Sequence, residues 1–235
     1  MNIPVPVYIS IAFLIAICFP VYLLAQMASD HVKPKQKRTV FYGIIIFYAT
    51  YFVVVGGLSL NGFFKENTLP PKIIKVSTLP LLLFLIGFVF NTGFYRQLLK
   101  SIPIDKLIYI HRFRFIGGVF IVLMLFGHLP PVFAWIAGTG DLITASSSFW
   151  VSRAIRHKTK HTKAIALIWN TFGFLDILAT SFTAIYSTKV SIETGALGVE
   201  VLATFPFCFI PAFAPATIIF LHLSIYRKLL DKKFW

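Results

Sequence analysis

The sequence predicts an all-α, polytopic membrane protein of seven transmembrane helices, with its N-terminus outside and its C-terminus cytoplasmic. Residues 1–235 would form a single transmembrane domain. Composition is the first reason. Mean hydropathy is +0.82 and only 13% of residues are charged, against about 25% in a soluble domain. Charge placement is the second. Lys and Arg collect in alternate loops, as the positive-inside rule requires of a multi-pass chain. The third is a pair of acids, Asp141 and Asp176, each about half-way along a stretch that is otherwise apolar.

Runs without charge and long enough to span, about 20 residues, give five of the expected helices: about 4–28, 40–63, 76–97, 107–128 and 200–226. The other two, about 131–152 and 163–187, appear once Asp141 and Asp176 are accepted as intramembrane. The first stretch lacks a basic leader, and Pro4, Pro6 and Pro20 precede no convincing cleavage site, so it is expected to be retained. Pro103 and Asp105 signal a turn and a helix start near Ile104. Gly127 to Pro131 predict a tight hairpin between the fourth and fifth spans. Pro206, Pro211 and Pro215 would interrupt a continuous seventh helix.

The loops test the count. One side receives Lys33, Lys35, Lys37 and Arg38, then Arg96, Lys100, Lys106, Arg112 and Arg114. The same side receives Arg153, Arg156, Lys158, Lys160 and Lys163, and after the last span Arg227, Lys228, Lys232 and Lys233. The other side holds only Lys65, Lys72, Lys75 and Lys189. Six or eight spans would break this alternation. The formal net charge of +14 is therefore explained by topology and anionic headgroups, and no nucleic-acid partner is expected. Cys18 and Cys208 both lie in apolar spans and predict neither a disulfide nor a thiolate metal site.

A carboxylate at bilayer depth costs about 2.5–3.5 kcal/mol on insertion scales, so it normally faces a protein interior and has a function. Helical phase places Asp141 on a small and polar stripe with Gly138, Thr144, Ala145 and Ser148. Asp176 lies on a similar stripe with Trp169, Gly173, Thr180 and Thr183, flanked by Asn170. At 1.5 Å per residue both acids are roughly 16–20 Å from the ends of their spans, near the middle of a core about 30 Å thick. Arg114 is the deepest cation, and Gly117 and Gly118 on its own face would let a neighbouring helix approach and bury it against a carboxylate. Without such a cation, desolvation would favour a neutral carboxyl. That is the physical basis for expecting proton chemistry. Ser146 to Ser148 are expected to bond their own helix's carbonyls.

Four stretches carry a family resemblance: Arg114 to Phe120 (RFIGGVF), Leu129 to Asp141 (LPPVFAWIAGTGD), Trp169 to Asp176 (WNTFGFLD) and Ile210 to Arg227 (IPAFAPATIIFLHLSIYR). They resemble segments of small, uncharacterised bacterial seven-span membrane proteins. The resemblance covers spans four to seven, implies a bacterial plasma membrane, and carries no activity. The seventh span has no lysine for a retinal Schiff base like that of microbial rhodopsins.

The expected function is a polar intramembrane cavity that binds or transports a small solute, coupled to protons through Asp141 and Asp176. Arg114, Trp169, Asn170 and His222 complete the candidate ligand or proton pathway. No catalytic residue and no metal ligand is assigned, since no phosphate loop, His-Glu-x-x-His or nucleophile elbow occurs. Two alternatives stand beside this reading. One is a membrane redox or lipid-modifying enzyme using His111, His128 or His222, with haem held by His111 and His222. The other is a non-catalytic assembly or sensory partner. Expected partners are the lipid bilayer, an unidentified small molecule, and another membrane protein or a second copy of the chain.

Overall fold

The computed structural model describes residues 5–66 and 68–231. The expected start of the first span at residue 4, and Lys232 and Lys233 of the last basic cluster, lie outside the described residues. The described chain is all-helical and has no strand. Its long elements are α1 (Val7–Asp30), α2 (Lys37–Leu60), α3 (Ile74–Asn91), α5 (Ile104–Leu125), α6 (Pro131–Arg156), α7 (Thr162–Thr194) and α8 (Phe209–Leu230). A short helix, α4 (Gly93–Ser101), follows α3.

Six helices are long and apolar enough to cross a membrane: α1, α2, α3, α5, α7 and α8. Their outward surfaces carry large apolar side chains such as Val53, Leu125, Ile168 and Phe182, each at least 70% exposed. A soluble protein does not present so extensive an apolar surface, and these faces mark the helices as lipid-facing. The remaining long helix, α6, is 26 residues long. Its polar stripe keeps it out of the apolar set.

That stripe puts α6 at the centre of the bundle. Ala134, Ala137, Gly138, Asp141, Thr144, Ala145, Ser148 and Ser152 recur every three or four residues along its length, and all are buried. Small residues at this spacing let neighbouring backbones close in. On α6 they meet α5 on one side and α7 on the other, while α8 packs on α7 and α3 on α8. The helices α1 and α2 pair with each other and reach the core through α5 and α8. Tyr48 and Tyr51 of α2 make hydrogen bonds of 3.1 Å to Thr217 Oγ1 and the Ala212 carbonyl of α8. The α5–α6 hairpin is as tight as expected. Gly127 takes a left-handed φ of +76°, so the N–H groups of Gly127 and His128 cap the carbonyls of Met124 and Leu123.

Three span boundaries need correction. The sixth was expected to end near 187, but its helix runs on to Thr194. The third was expected to run through residue 97, but the helix ends at Asn91. Thr92 is extended, and its hydroxyl accepts from Tyr95 N–H at 3.1 Å to start α4. A good N-cap outcompetes helix continuation there. The last span was expected to begin at 200. Instead a short 3₁₀ turn, Glu200–Ala203, and an extended Thr204 precede α8, which starts at Phe209. Pro206 therefore lies before the helix. Pro211 falls in its first turn, where its missing N–H has no helical partner to lose, and only Pro215 is interior. The helix also runs on to Leu230, so it does contain a lysine, Lys228. That ammonium caps the end of α4, donating to the carbonyls of Leu99 (2.8 Å) and Ile102.

The basic loops meet at one end of the bundle. Ser101 donates to the His31 carbonyl at 2.7 Å, Lys228 holds α4, and Arg156 pairs with Asp105 at 3.3 Å. At the opposite end Ser59 donates to Ala203 O at 2.9 Å, and Ser191 to Glu200 at 2.5 Å.

Candidate functional site

Inside α5 the chain tightens to a 3₁₀ helix over Ile110–Gly117. Runs this long are uncommon because side chains three apart eclipse one another. Here the eclipsing has a consequence: His111, Arg114 and Gly117 line up on one buried edge facing α6.

Arg114 is 1% exposed, the largest side chain buried so completely among the described residues. Its Nε donates to Asp141 Oδ1 of α6 at 2.5 Å, and its Nη2 to Asp176 Oδ2 of α7. Nη1 donates to the Gly173 carbonyl at 3.1 Å and makes a longer contact, 3.4 Å, with His222 Nε2 of α8. One guanidinium thus ties four helices together. It also faces two carboxylates, so the fully ionised triad carries one uncompensated negative charge in a desolvated place, where unpaired charge is costly.

Glycines admit these groups. A methyl on Gly117 would collide with the Asp141 carboxylate, and one on Gly140 with that of Asp176. One on Gly173 would lie 2.7 Å from the His222 ring and 3.0 Å from Thr144. Each polar side chain is seated on the bare backbone of the neighbouring helix.

Asn170 fixes His222. Its Nδ2 donates to the His222 carbonyl at 3.1 Å, which leaves Oδ1 to accept from the ring Nδ1–H at 2.8 Å. The imidazole is therefore the Nδ1–H tautomer, with its Nε2 lone pair turned to Arg114. Trp169 donates to Ser147 Oγ at 2.9 Å and lays its ring near both histidines. The rings of His111 and His222 touch, with centroids 4.4 Å apart. A haem held by two axial histidines needs its iron and macrocycle between them. In this arrangement the rings fill that space themselves.

All six residues read from the sequence as a pathway, Arg114, Asp141, Trp169, Asn170, Asp176 and His222, converge on this one place. Sequence reasoning missed Gly140, whose signal was its position directly before Asp141, and Ser147, which holds Trp169. Thr180 and Thr183 of the expected stripe are only half-buried, and Thr183 bonds the Ala179 carbonyl of its own helix. Ser146, Ser147 and Ser148 do donate to carbonyls of their own helix, at 2.5–2.7 Å.

Beyond the triad, toward the end of the basic loops, three buried side chains keep polar atoms without a protein partner: both ring nitrogens of His111, Thr144 Oγ1 and Ser152 Oγ. A hollow of about 600 Å³ lies at that end, lined by Pro103, Ile155, Thr162 and three lysines. On the opposite side a crevice of about 240 Å³ between α3, α7 and α8 has Asp141 in its lining. It adjoins a small hollow beside Glu66, Lys72 and Glu200. Lys72 pairs with Glu66 at 2.8 Å and holds its carboxyl below the usual carboxylate range. Among the described residues no group of three or more His, Cys, Asp or Glu is placed to hold a metal ion.

Residues 73–230 match a family model described as Domain of unknown function (DUF8737). No curated protein and no solved structure matches the chain.

Proposed function

The chain belongs to the DUF8737 family, for which no function is known, and from its own residues we propose that it is a seven-span transporter exchanging a small solute for protons at the Arg114–Asp141–Asp176 triad. The observation that carries this reading is one guanidinium shared by two carboxylates. Removing water from such a triad favours uptake of one positive charge, and a proton or a cationic solute satisfies that demand equally.

Seven spans include α6, which at 1.5 Å per residue is about 39 Å long and exceeds a hydrocarbon core of about 30 Å. The contacts joining the four basic segments at one end support an odd number of crossings with the C-terminus cytoplasmic. The family resemblance favours a bacterial plasma membrane. In this orientation the crevice serves the outside. The unpartnered edge of His111, Thr144 and Ser152 serves the cytoplasmic side, where polar groups of this kind hold bridging water and so pass protons.

The test is proton flux into liposomes holding the purified chain, a trapped pH dye and a trapped cationic solute, tetramethylammonium, driven by an inward proton gradient, which a one-for-one exchange of cation for proton can use. Asp141→Asn and Asp176→Asn are each expected to lower the flux at least tenfold. Unchanged flux in both variants overturns the proton role. The same preparation is expected to show no haem absorption band.

A further inference from the structure

The crevice lined in part by Asp141 has a chemistry of its own. Its walls are apolar, with Leu82, Phe133, Ile177 and Ile219 among them. The hydroxyls of Thr78 and Ser181 on its wall already donate to the carbonyls of Pro211 and Ile177. Asp141, whose side chain retains 12% exposure, is the one acidic group lining it. An anion finds no cation on the wall among the described residues, since the Arg114 guanidinium is 0% exposed behind the carboxylate. A sugar or other many-hydroxyl solute meets few free donors. A molecule with an apolar body and one positive end finds both complements.

We propose that this crevice binds a lipophilic monocation of the alkylammonium class, its charged nitrogen at Asp141 and its apolar body between α3, α7 and α8. The proposal rests on the reading of the triad as a site with one negative charge over, and it names the solute that satisfies it. The groups facing Asp141 are Arg114 from α5 and Asp176 from α7, with His222 of α8 behind Arg114. One cation compensates the triad, so an alkylammonium and a proton exclude each other there. Entry of the first releases the second.

The experiment is calorimetric titration of the full chain in phosphatidylcholine nanodiscs with octylamine, octanol and octanoate. Octylamine is expected to bind, and octanol and octanoate are not. Asp141→Asn and the crevice-filling Ala184→Trp are each expected to weaken octylamine at least tenfold, and lowering the pH from 8 to 5 weakens it in the native chain. Should Asp141→Asn fail to give a monodisperse protein, Ala184→Trp and the pH series decide alone. Equal binding of octylamine and octanol, or octylamine binding indifferent to these changes, overturns the proposal and leaves a groove for acyl chains only. Because titration reads equilibrium binding, loss of proton flux in Asp141→Asn without octylamine binding would sink this inference and leave the proton reading standing.

Discussion

The carboxylate of Asp176 rests on Gly140, in the space that a methyl group on Gly140 would fill, and from there it reaches Arg114. The glycine's place in the chain matters because the next residue is Asp141. Backbone exposed by one residue seats one acid of the triad while its neighbour supplies the other.

Gly140→Ala is therefore expected to push Asp176 off the guanidinium. Overpacking of this kind costs about 1–3 kcal/mol, and the lost ion pair adds to it. Thermal unfolding in detergent should show a lower midpoint for Gly140→Ala. Gly118→Ala, whose added carbon would meet Leu142 at an ordinary 3.8 Å, should leave it nearly unchanged. Equal effects at both positions would contradict the seating of Asp176 on Gly140.

Arg114 holds the triad by charge as well as by geometry. Arg114→Met leaves two buried carboxylates facing each other, and breaking a buried pair costs about 3–5 kcal/mol. Removing both charges with it reverses most of that loss. The triple variant Arg114→Met, Asp141→Asn, Asp176→Asn is expected to unfold closer to the native chain than Arg114→Met alone. Arg114→Lys is expected to resemble Arg114→Met, because an ammonium lacks the planar fork that reaches both acids. A lysine variant of native stability would show that the bridge is not what holds these helices.

Asn170 makes two hydrogen bonds to one histidine, to its carbonyl and to its ring. Asn170→Leu leaves a buried imidazole N–H without an acceptor, at about 1–3 kcal/mol, and releases the ring from its tautomer. Nitrogen NMR of histidine-labelled protein should show His222 as the Nδ1–H form in the native chain and a changed signal in Asn170→Leu. An unchanged His222 signal in the variant would mean that Arg114 alone orients the ring.

Much of this site was legible in the sequence because charge in an apolar run is conspicuous. Asp141 and Asp176 announced themselves, and Gly117 beside Arg114 gave a reason for a helix to close over the guanidinium. The tightening of α5 to 3₁₀ geometry was not legible, since no local residue marks that change; it brings His111, Arg114 and Gly117 onto one edge, where an α-helix would spread them over a wider face. The end of α3 was missed for a related reason. Thr92 is an ordinary membrane-helix residue by composition, and only its extended backbone and its bond to Tyr95 N–H turn it into a cap. Prolines misled in the last span because their effect depends on register: Pro206, Pro211 and Pro215 have the same chemistry, yet only Pro215 lies far enough into α8 to free a carbonyl.

That freed carbonyl gives the sharpest energetic test. Pro215 lacks the N–H that would bond to Pro211 O four residues earlier, and Thr78 Oγ1 of α3 donates to that oxygen at 2.6 Å in its place. Thr78→Val is expected to destabilise the native chain by about 1–3 kcal/mol, the cost of an unsatisfied buried acceptor. In a Pro215→Ala background the restored helical N–H supplies the missing donor, and Thr78→Val should then be nearly neutral. The double-mutant cycle is accordingly expected to give a coupling of about 0.5–3 kcal/mol. Additive effects would mean that Thr78 contributes by packing alone. Thr78, Pro211 and Pro215 all line the same crevice as Asp141, so the same cycle measured on octylamine affinity reports whether this hydrogen bond also holds the crevice open.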